Sequence, residues 1–230
     1  MRRYLIILMM PCFVMLFGIC CLAGCEGSRH HLKKVRLNEV AHSIFYAPQY
    51  VAIEKGYFEK EGIKLELTTG FGADKTATAV ISGDADIAFM GPEATIYQFN
   101  QGNADYLINF AQLTQRAGNF VVSREREDSF KWEDLKGKKV IGGRPGGMPE
   151  MVFEYVLKKH GMNPQKDINL VQNIDFGSTA AAFSEGQADY TVEFEPGATS
   201  LETGQKGYVV ASLGTDSGYI PYTAFSARKS

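Results

Sequence analysis

From residue 33 to the end of the chain, short runs of β-branched and aromatic residues alternate with longer stretches whose apolar positions recur at helical spacing. That alternation is the signature of βα units packed around a mainly parallel sheet. Strands are predicted at 35–41, 63–68, 87–90, 106–112, 120–123, 139–142, 168–172, 190–194, 208–212 and 222–227, with helices between them.

The pattern repeats. Residues 80–94 are answered by residues 183–198: Gly83, Ala85 and Asp86 match Gly186, Ala188 and Asp189 at one offset, and Pro92 matches Pro196 after one inserted residue. Each copy reads as a helix, a Gly turn, a buried strand, and a proline in the first turn of the next helix. Upstream, the helix at 48–58 with its Lys55-Gly56 stop and the strand at Ile63 parallels the helix at 149–160 with its Gly161 stop and the strand at Ile168. Two α/β lobes of one ancestry are the economical explanation. The expected division is lobe 1 at 35–118, lobe 2 with crossing segments at 119–221, and a return strand at 222–230 toward lobe 1. The crossing is expected near 116–130, where 124–128 reads as a solvated charge run.

The N-terminus changes the picture. Arg2 and Arg3 precede an apolar stretch at 4–19 interrupted only by Pro11, and Leu22-Ala23-Gly24-Cys25 is a small-residue cleavage site ending in cysteine. This resembles the lipobox of bacterial lipoproteins, which implies a signal peptide at 1–24, diacylation of Cys25 and a lipidated tether at 25–34. The alternative is an uncleaved membrane anchor; either way the body is expected on the extracytoplasmic face of the cell membrane. Cys12, Cys20 and Cys21 fall in the removed segment, so the mature body carries no disulfide, thiol nucleophile or thiolate metal site. With Arg2 and Arg3 gone, 22 basic side chains remain of 24, against 26 acidic ones, and no basic stripe points to nucleic acid. The 45% hydrophobic and 22% charged composition is that of a globular protein.

In open α/β sheets a ligand sits beyond the carboxyl ends of the strands, at helix N-termini. Four such joints stand out: 42–47 before Pro48, Gly91-Pro92-Glu93, 143–148 before Pro149, and Glu195-Pro196-Gly197. Candidate ligand-binding residues are His42, Phe45, Tyr46, Phe71, Met90, Gly91, Gly146, Gly147, Met148, Phe176, Glu193 and Glu195, with Phe194 alongside. The aromatic and methionine side chains suit a flat, small molecule. The Gly-rich joint at 142–147 reads either as an anion cradle or as a tight strand-to-helix turn, and it lacks the spacing of nucleotide-binding loops. Glu195 reads as an acceptor for an amino or ring N–H group, or as an ordinary helix-start charge, with Glu193 one pleat away. His30 and His31 lie in the tether and His42 and His160 stand alone, so no metal site and no cofactor is expected.

The lipobox, the run from His42 through Ala47-Pro48-Gln49-Tyr50 and Glu54-Lys55-Gly56-Tyr57-Phe58 to Ile63, the Gly83-Asp84-Ala85-Asp86-Ile87 turn, and Leu135 to Val140 with Gly146-Gly147-Met148-Pro149-Glu150 together carry a resemblance. They are similar to the ABC-importer binding proteins for nitrate, sulfonates, taurine and thiamine pyrimidine precursors, over essentially all of residues 33–230. The resemblance implies a type II periplasmic-binding-protein fold, two α/β lobes with a hinge and an interlobe ligand cleft. It also implies a membrane permease and its ATPase as partners, and a monomer. Thiamine-precursor binders hold an aminopyrimidine with aromatics and a carboxylate after the second repeat, and Glu195 is the position that matches best. Family members run longer, and a piece completing lobe 1 is expected beyond residue 230. An enzyme resembling the fungal thiamine-pyrimidine synthase needs a cysteine-rich motif that this chain lacks after residue 25; a sensory lipoprotein on the same fold is the remaining alternative.

Overall fold

The computed structural model describes residues 31–230; the predicted signal peptide, its cleavage site and Cys25 lie outside them. Ten strands run in the order β1 (Lys33–Glu39), β2 (Ile63–Thr69), β3 (Ile87–Met90), β4 (Leu107–Thr114), β5 (Asn119–Ser123), β6 (Lys139–Ile141), β7 (Asn169–Val171), β8 (Tyr190–Phe194), β9 (Tyr208–Ser212) and β10 (Thr223–Arg228). They form two five-stranded sheets, ordered β2-β1-β3-β10-β4 and β7-β6-β8-β5-β9. The helices that matter below are α1 (Ala47–Glu54), α2 (Tyr57–Lys60), α3 (Ala73–Ser82), α4 (Glu93–Asn100), α5 (Met148–Lys159), α6 (Pro164–Asp167), α7 (Thr179–Ser184), α8 (Gly197–Thr203) and α9 (Leu213–Ser217).

The internal repeat has a physical basis. In the first sheet Asp86 donates its N–H to the Arg36 carbonyl at 2.8 Å and accepts from the Arg36 N–H through Oδ2 at 2.8 Å. In the second, Asp189 makes the same pair of bonds to Lys139, both at 2.8 Å. The matched alanines, Ala85 and Ala188, are buried beneath these turns, and Gly83 and Gly186 take the left-handed conformation that stops the preceding helix. Each motif therefore aligns the start of one strand against its parallel neighbour, β3 against β1 and β8 against β6. Central strands read as apolar runs because both faces are covered: Ala88, Phe89 and Met90 of β3 are fully buried.

Both sheets are mixed rather than mainly parallel. β10 runs antiparallel to β3 and β4, and β5 runs antiparallel to β8 and β9. The cause is an exchange: each lobe takes into its sheet a strand that has just crossed from the other, entering from the opposite direction. Residues 115–118 link β4 to β5 and residues 218–222 link α9 to β10. The crossing is thus shorter and earlier than the expected 116–130 stretch. Within 124–128, Arg124 is anchored rather than solvated, with its guanidinium donating to the Phe183 and Ala188 carbonyls and lying 4.5 Å over the Phe183 ring.

The two crossings are tied together. Ile220 N–H donates to Gln115 O and Tyr222 N–H to Thr114 O, each at 3.1 Å. Arg116 donates to the Gly214 carbonyl at 3.0 Å and covers the Tyr219 ring at 4.2 Å. Phe45 lies so close over Gly118 that a Cβ there would meet its ring at 2.3 Å, so this position in the crossing has room only for glycine.

The second lobe's core gathers Phe153, Val156 and Leu157 of α5 against Trp132, Leu135 and Val140. Phe153 is fully buried. Phe153→Ala should cost about 3–5 kcal/mol through lost burial and the cavity left behind, read as a lowered denaturant midpoint at unchanged slope; a loss under about 1 kcal/mol would place this ring outside the core.

Candidate functional site

A cavity of about 360 Å³ lies between the two sheets' helix starts. Its first wall comes from Val40, Tyr46, the Gly72–Asp74 turn, Ala77, Gly91, Glu93, Ala94 and Tyr97; its second comes from residues 144–149, Phe176 and Phe194; and Tyr222 and Thr223, where the return crossing enters the first sheet, close one side. These are the joints where strand ends deliver the chain into α3, α4 and α5, so the repeat itself places the wall residues.

Polar contacts run between the two lobes around this cavity. Tyr97 donates its hydroxyl to the Gly146 carbonyl at 3.0 Å, and Ser43 donates to the Glu195 carbonyl at 2.7 Å. Arg144 pairs with Asp74 through both guanidinium nitrogens at 3.0 Å, in a half-exposed position where such a pair contributes under about 1 kcal/mol. One further contact brings in a buried side chain: Glu93 Oε1 accepts from the Met148 N–H at 3.0 Å. Gly91 permits it, because a Cβ at residue 91 would fall 2.0 Å from Glu93 Oε2.

The α5 start does not offer free amides to an anion. Gly146 N–H donates to Glu150 Oε2 at 3.2 Å, Gly147 N–H to the Arg144 carbonyl at 3.1 Å, and Met148 N–H to Glu93. Of the two readings of this Gly-rich joint, the tight turn is the one the structure has, with Gly143 and Gly146 at positive φ.

Six of the expected site residues line the cavity: Tyr46, Gly91, Gly146, Gly147, Met148 and Phe176. Phe194 joins them, its ring 5.4 Å from Phe176 and 6.1 Å from Tyr222. The other six lie elsewhere. Phe45 sits behind this wall, packing on Phe194 and Tyr222 at 5.8 and 5.6 Å. Met90 is fully buried in the first lobe's core, and Phe71 is 53% exposed with a positive φ of 54°. His42 holds a surface position, its Nδ1 2.8 Å from Glu39 Oε1. Glu39 is wholly buried and also accepts from Gln49, Tyr50 and Thr69, a network that fixes the turn leading into α1.

Glu195 caps its own helix. Its carboxylate accepts from the Thr199 N–H at 3.1 Å and the Thr199 hydroxyl at 2.9 Å, the helix-start role rather than the cleft-facing one. Glu193 is buried and accepts from the Thr191 hydroxyl at 2.8 Å. Asp74 lines the cavity, and among the glutamates of the four joints the one that lines it is Glu93. It belongs to a joint visible in the sequence, yet no sequence signal distinguishes it from Glu195, since both stand beside a helix-opening proline.

The NMT1/THI5 like family profile matches residues 44–215. A Bacillus subtilis (strain 168) protein named "Putative binding protein YtlA" is 49% identical over 219 residues, which cover 95% of this chain and 65% of that protein. The chain thus spans 65% of the length of this curated relative. Among solved structures, the alkanesulfonate-binding protein SsuA from Xanthomonas axonopodis pv. citri bound to MOPS superposes with a TM-score of 0.66 at 19% identity, over 85% of this chain and 65% of that one. The periplasmic nitrate-binding protein NrtA from Synechocystis PCC 6803 superposes with a TM-score of 0.66 at 20% identity, over 86% and 56%. The fold is that of periplasmic binding proteins, as the sequence resemblance implies.

Burial raises the Glu93 carboxyl from 4.5 to about 7, opposed by its own N–H and that of Met148. Because the folded value lies above the unfolded one, the acid costs nothing below pH 4.5 in either state. Stability then falls as pH rises through 4.5 to 7, and the full cost, about 3 kcal/mol, is present above that window. Burial gives Glu193 the same value of about 7, opposed by the Thr191 and Thr179 hydroxyls, so it adds a parallel slope. Glu93→Gln should flatten part of this slope, matching the wild type near pH 4.5 and melting higher than it at pH 8; equal melting temperatures at pH 8 would contradict the buried-acid assignment.

Proposed function

The chain belongs to the NMT1/THI5-like family, and from the cavity between its lobes we propose that it is the solute-binding component of an ABC importer, an extracytoplasmic receptor rather than an enzyme. The observation that carries this reading is a cavity of about 360 Å³ whose walls come from both lobes, which among the described residues are joined by two paired crossings. A solute that touches both walls binds the closed form better than the open one, and the equilibrium shifts by that difference in affinity. The closed form then docks on a membrane permease driven by a cytoplasmic ATPase. The protein acts as a monomer held to the membrane by lipid on Cys25; among the described residues no helix is long and apolar enough to cross a membrane.

The solute is a small, planar heterocycle of the thiamine pyrimidine-precursor type. Tyr46, Phe176, Phe194 and Tyr222 supply flat walls, Met148 supplies a deformable one, and the cavity volume falls at the small end of ligand pockets. Relatives of the same fold are named for alkanesulfonate and nitrate. Against an oxyanion here stand the committed amides of the α5 start and the buried Glu93 carboxyl.

Thermal shift of the purified chain against 4-amino-5-hydroxymethyl-2-methylpyrimidine, thiamine, taurine, MOPS and nitrate tests the reading. A true ligand at 100 times its Kd should stabilise the fold by ~2.7 kcal/mol, and Phe194→Ala should abolish the shift while leaving a cooperative melt. A cooperative wild-type melt that no probe moves would contradict the proposal.

A further inference from the structure

Two half-exposed side chains reach across the cavity to the opposite lobe, and each lands on a glycine. From the second lobe, Arg144 lies over the Gly72 turn and pairs with Asp74. A Cβ on Gly72 would fall 2.7 Å from Arg144 Nη1 and 2.6 Å from Asp74 Oδ1. From the first lobe, Tyr97 lies against Gly146, where a Cβ would fall 3.3 Å from its hydroxyl. That hydroxyl bonds the Gly146 carbonyl and stands 3.4 Å from the Met151 sulfur. Gly72 has a φ of 150° and Gly146 a φ of 71°, backbone that other residues rarely adopt, so both turns are shaped as well as sized for the arm they receive.

Both receiving turns are pinned to their own lobe. Gly70 and Gly72 N–H donate to the Glu39 and Val40 carbonyls at 2.8 and 3.1 Å. Phe71 between them takes a positive φ, which a bulky residue adopts only where its surroundings impose it. In the other turn Gly147 N–H donates to the Arg144 carbonyl at 3.1 Å. Asp74, Arg144 and Tyr97 all line the cavity, yet their exposures are 60%, 36% and 42%, which puts them at its rim, whereas Glu93 belongs to the inner wall. The two arms differ in physics. The exposed ion pair is screened by salt, and the neutral bond from the Tyr97 hydroxyl is not.

We propose that Arg144–Asp74 and Tyr97–Gly146 form a reciprocal clasp at the cavity rim that sets how fast the cavity exchanges its contents, one half salt-sensitive and the other indifferent to salt. The inference rests on the interlobe cavity being the solute site and names what controls passage into and out of it. Arg144, Asp74 and Tyr97 are positioning residues: they hold the rim together rather than recognise the solute. Their effect is on rates, since an exposed pair of this kind changes an equilibrium by a small factor while every opening of the rim must break it.

All native cysteines lie at or before residue 25, so one thiol placed on the half-buried wall residue Val40, as Val40→Cys, reports access to the cavity. Labelling of the full chain by neutral N-ethylmaleimide, corrected for the chain without this thiol, is followed from about 0.01 M to about 1 M NaCl, where the screening length falls from about 30 Å to about 3 Å. The clasp predicts a rate that rises about twofold to fivefold with salt. Asp74→Asn should label at the high-salt rate throughout. Tyr97→Phe should label faster at every salt concentration and keep the salt dependence. Exchanging the pair, Asp74→Arg with Arg144→Asp, should restore slow, salt-dependent labelling, which a merely structural role of either residue would not produce. Cooperative melting of each variant separates a loosened rim from lost folding. The clasp is overturned by labelling that ignores salt, complete protection included, by folded Asp74→Asn or Tyr97→Phe chains that label like their parent, or by a folded exchanged pair that labels fast. No solute enters this measurement, so its failure leaves the importer reading to the thermal-shift test.

Discussion

The buried contact from the Glu93 carboxylate to the Met148 N–H is the constraint around which the two-lobed structure is arranged. It joins the start of α4 in one lobe to the start of α5 in the other, and both residues line the cavity. The helix-start amide and dipole favour the negative oxygen, while burial raises the acid toward 7 and works against its ionised form. The Arg144–Asp74 pair and the Tyr97 hydroxyl make further contacts between the same two walls.

Everything else in the architecture delivers those groups to one place. The two sheets share a strand order because both are built on the same turn, in which Asp86 or Asp189 registers a strand start against its parallel neighbour. The exchanged strands β5 and β10 then make neither lobe independent of the other. Their short crossings are hydrogen-bonded to one another, and Phe45 seated over Gly118 packs the crossing against the ring cluster behind the cavity wall.

Much of this was legible in the residues. All ten strands fall where alternation and apolar runs place them, because strand periodicity and Gly or Pro punctuation are local properties. The repeat was legible for the same reason: its Gly and Asp act within one turn. What was not legible depends on contacts across many residues. Glu93 and Glu195 look alike in sequence, each beside a proline at a helix start, yet one reaches a backbone amide 55 positions away while the other bonds four residues ahead within its own helix. Met90 and Met148 likewise share a residue type and a place in a strand-to-helix joint, and only tertiary packing sends the first into the core and the second to the cavity wall. The Gly-rich joint before α5 showed that backbone amides were present but not that Glu93 and Glu150 already occupy them.

Hydrogen–deuterium exchange of the full chain, comparing the wild type with Glu93→Ala at pH 7.5, tests the central contact most directly. The account predicts that peptides covering residues 144–150 exchange at least tenfold faster in the variant, because the Met148 amide loses its partner and the walls separate. Peptides from β8 and from the core face of α5 should keep their wild-type protection. Unchanged exchange at residues 144–150 would contradict a structure held together at Glu93.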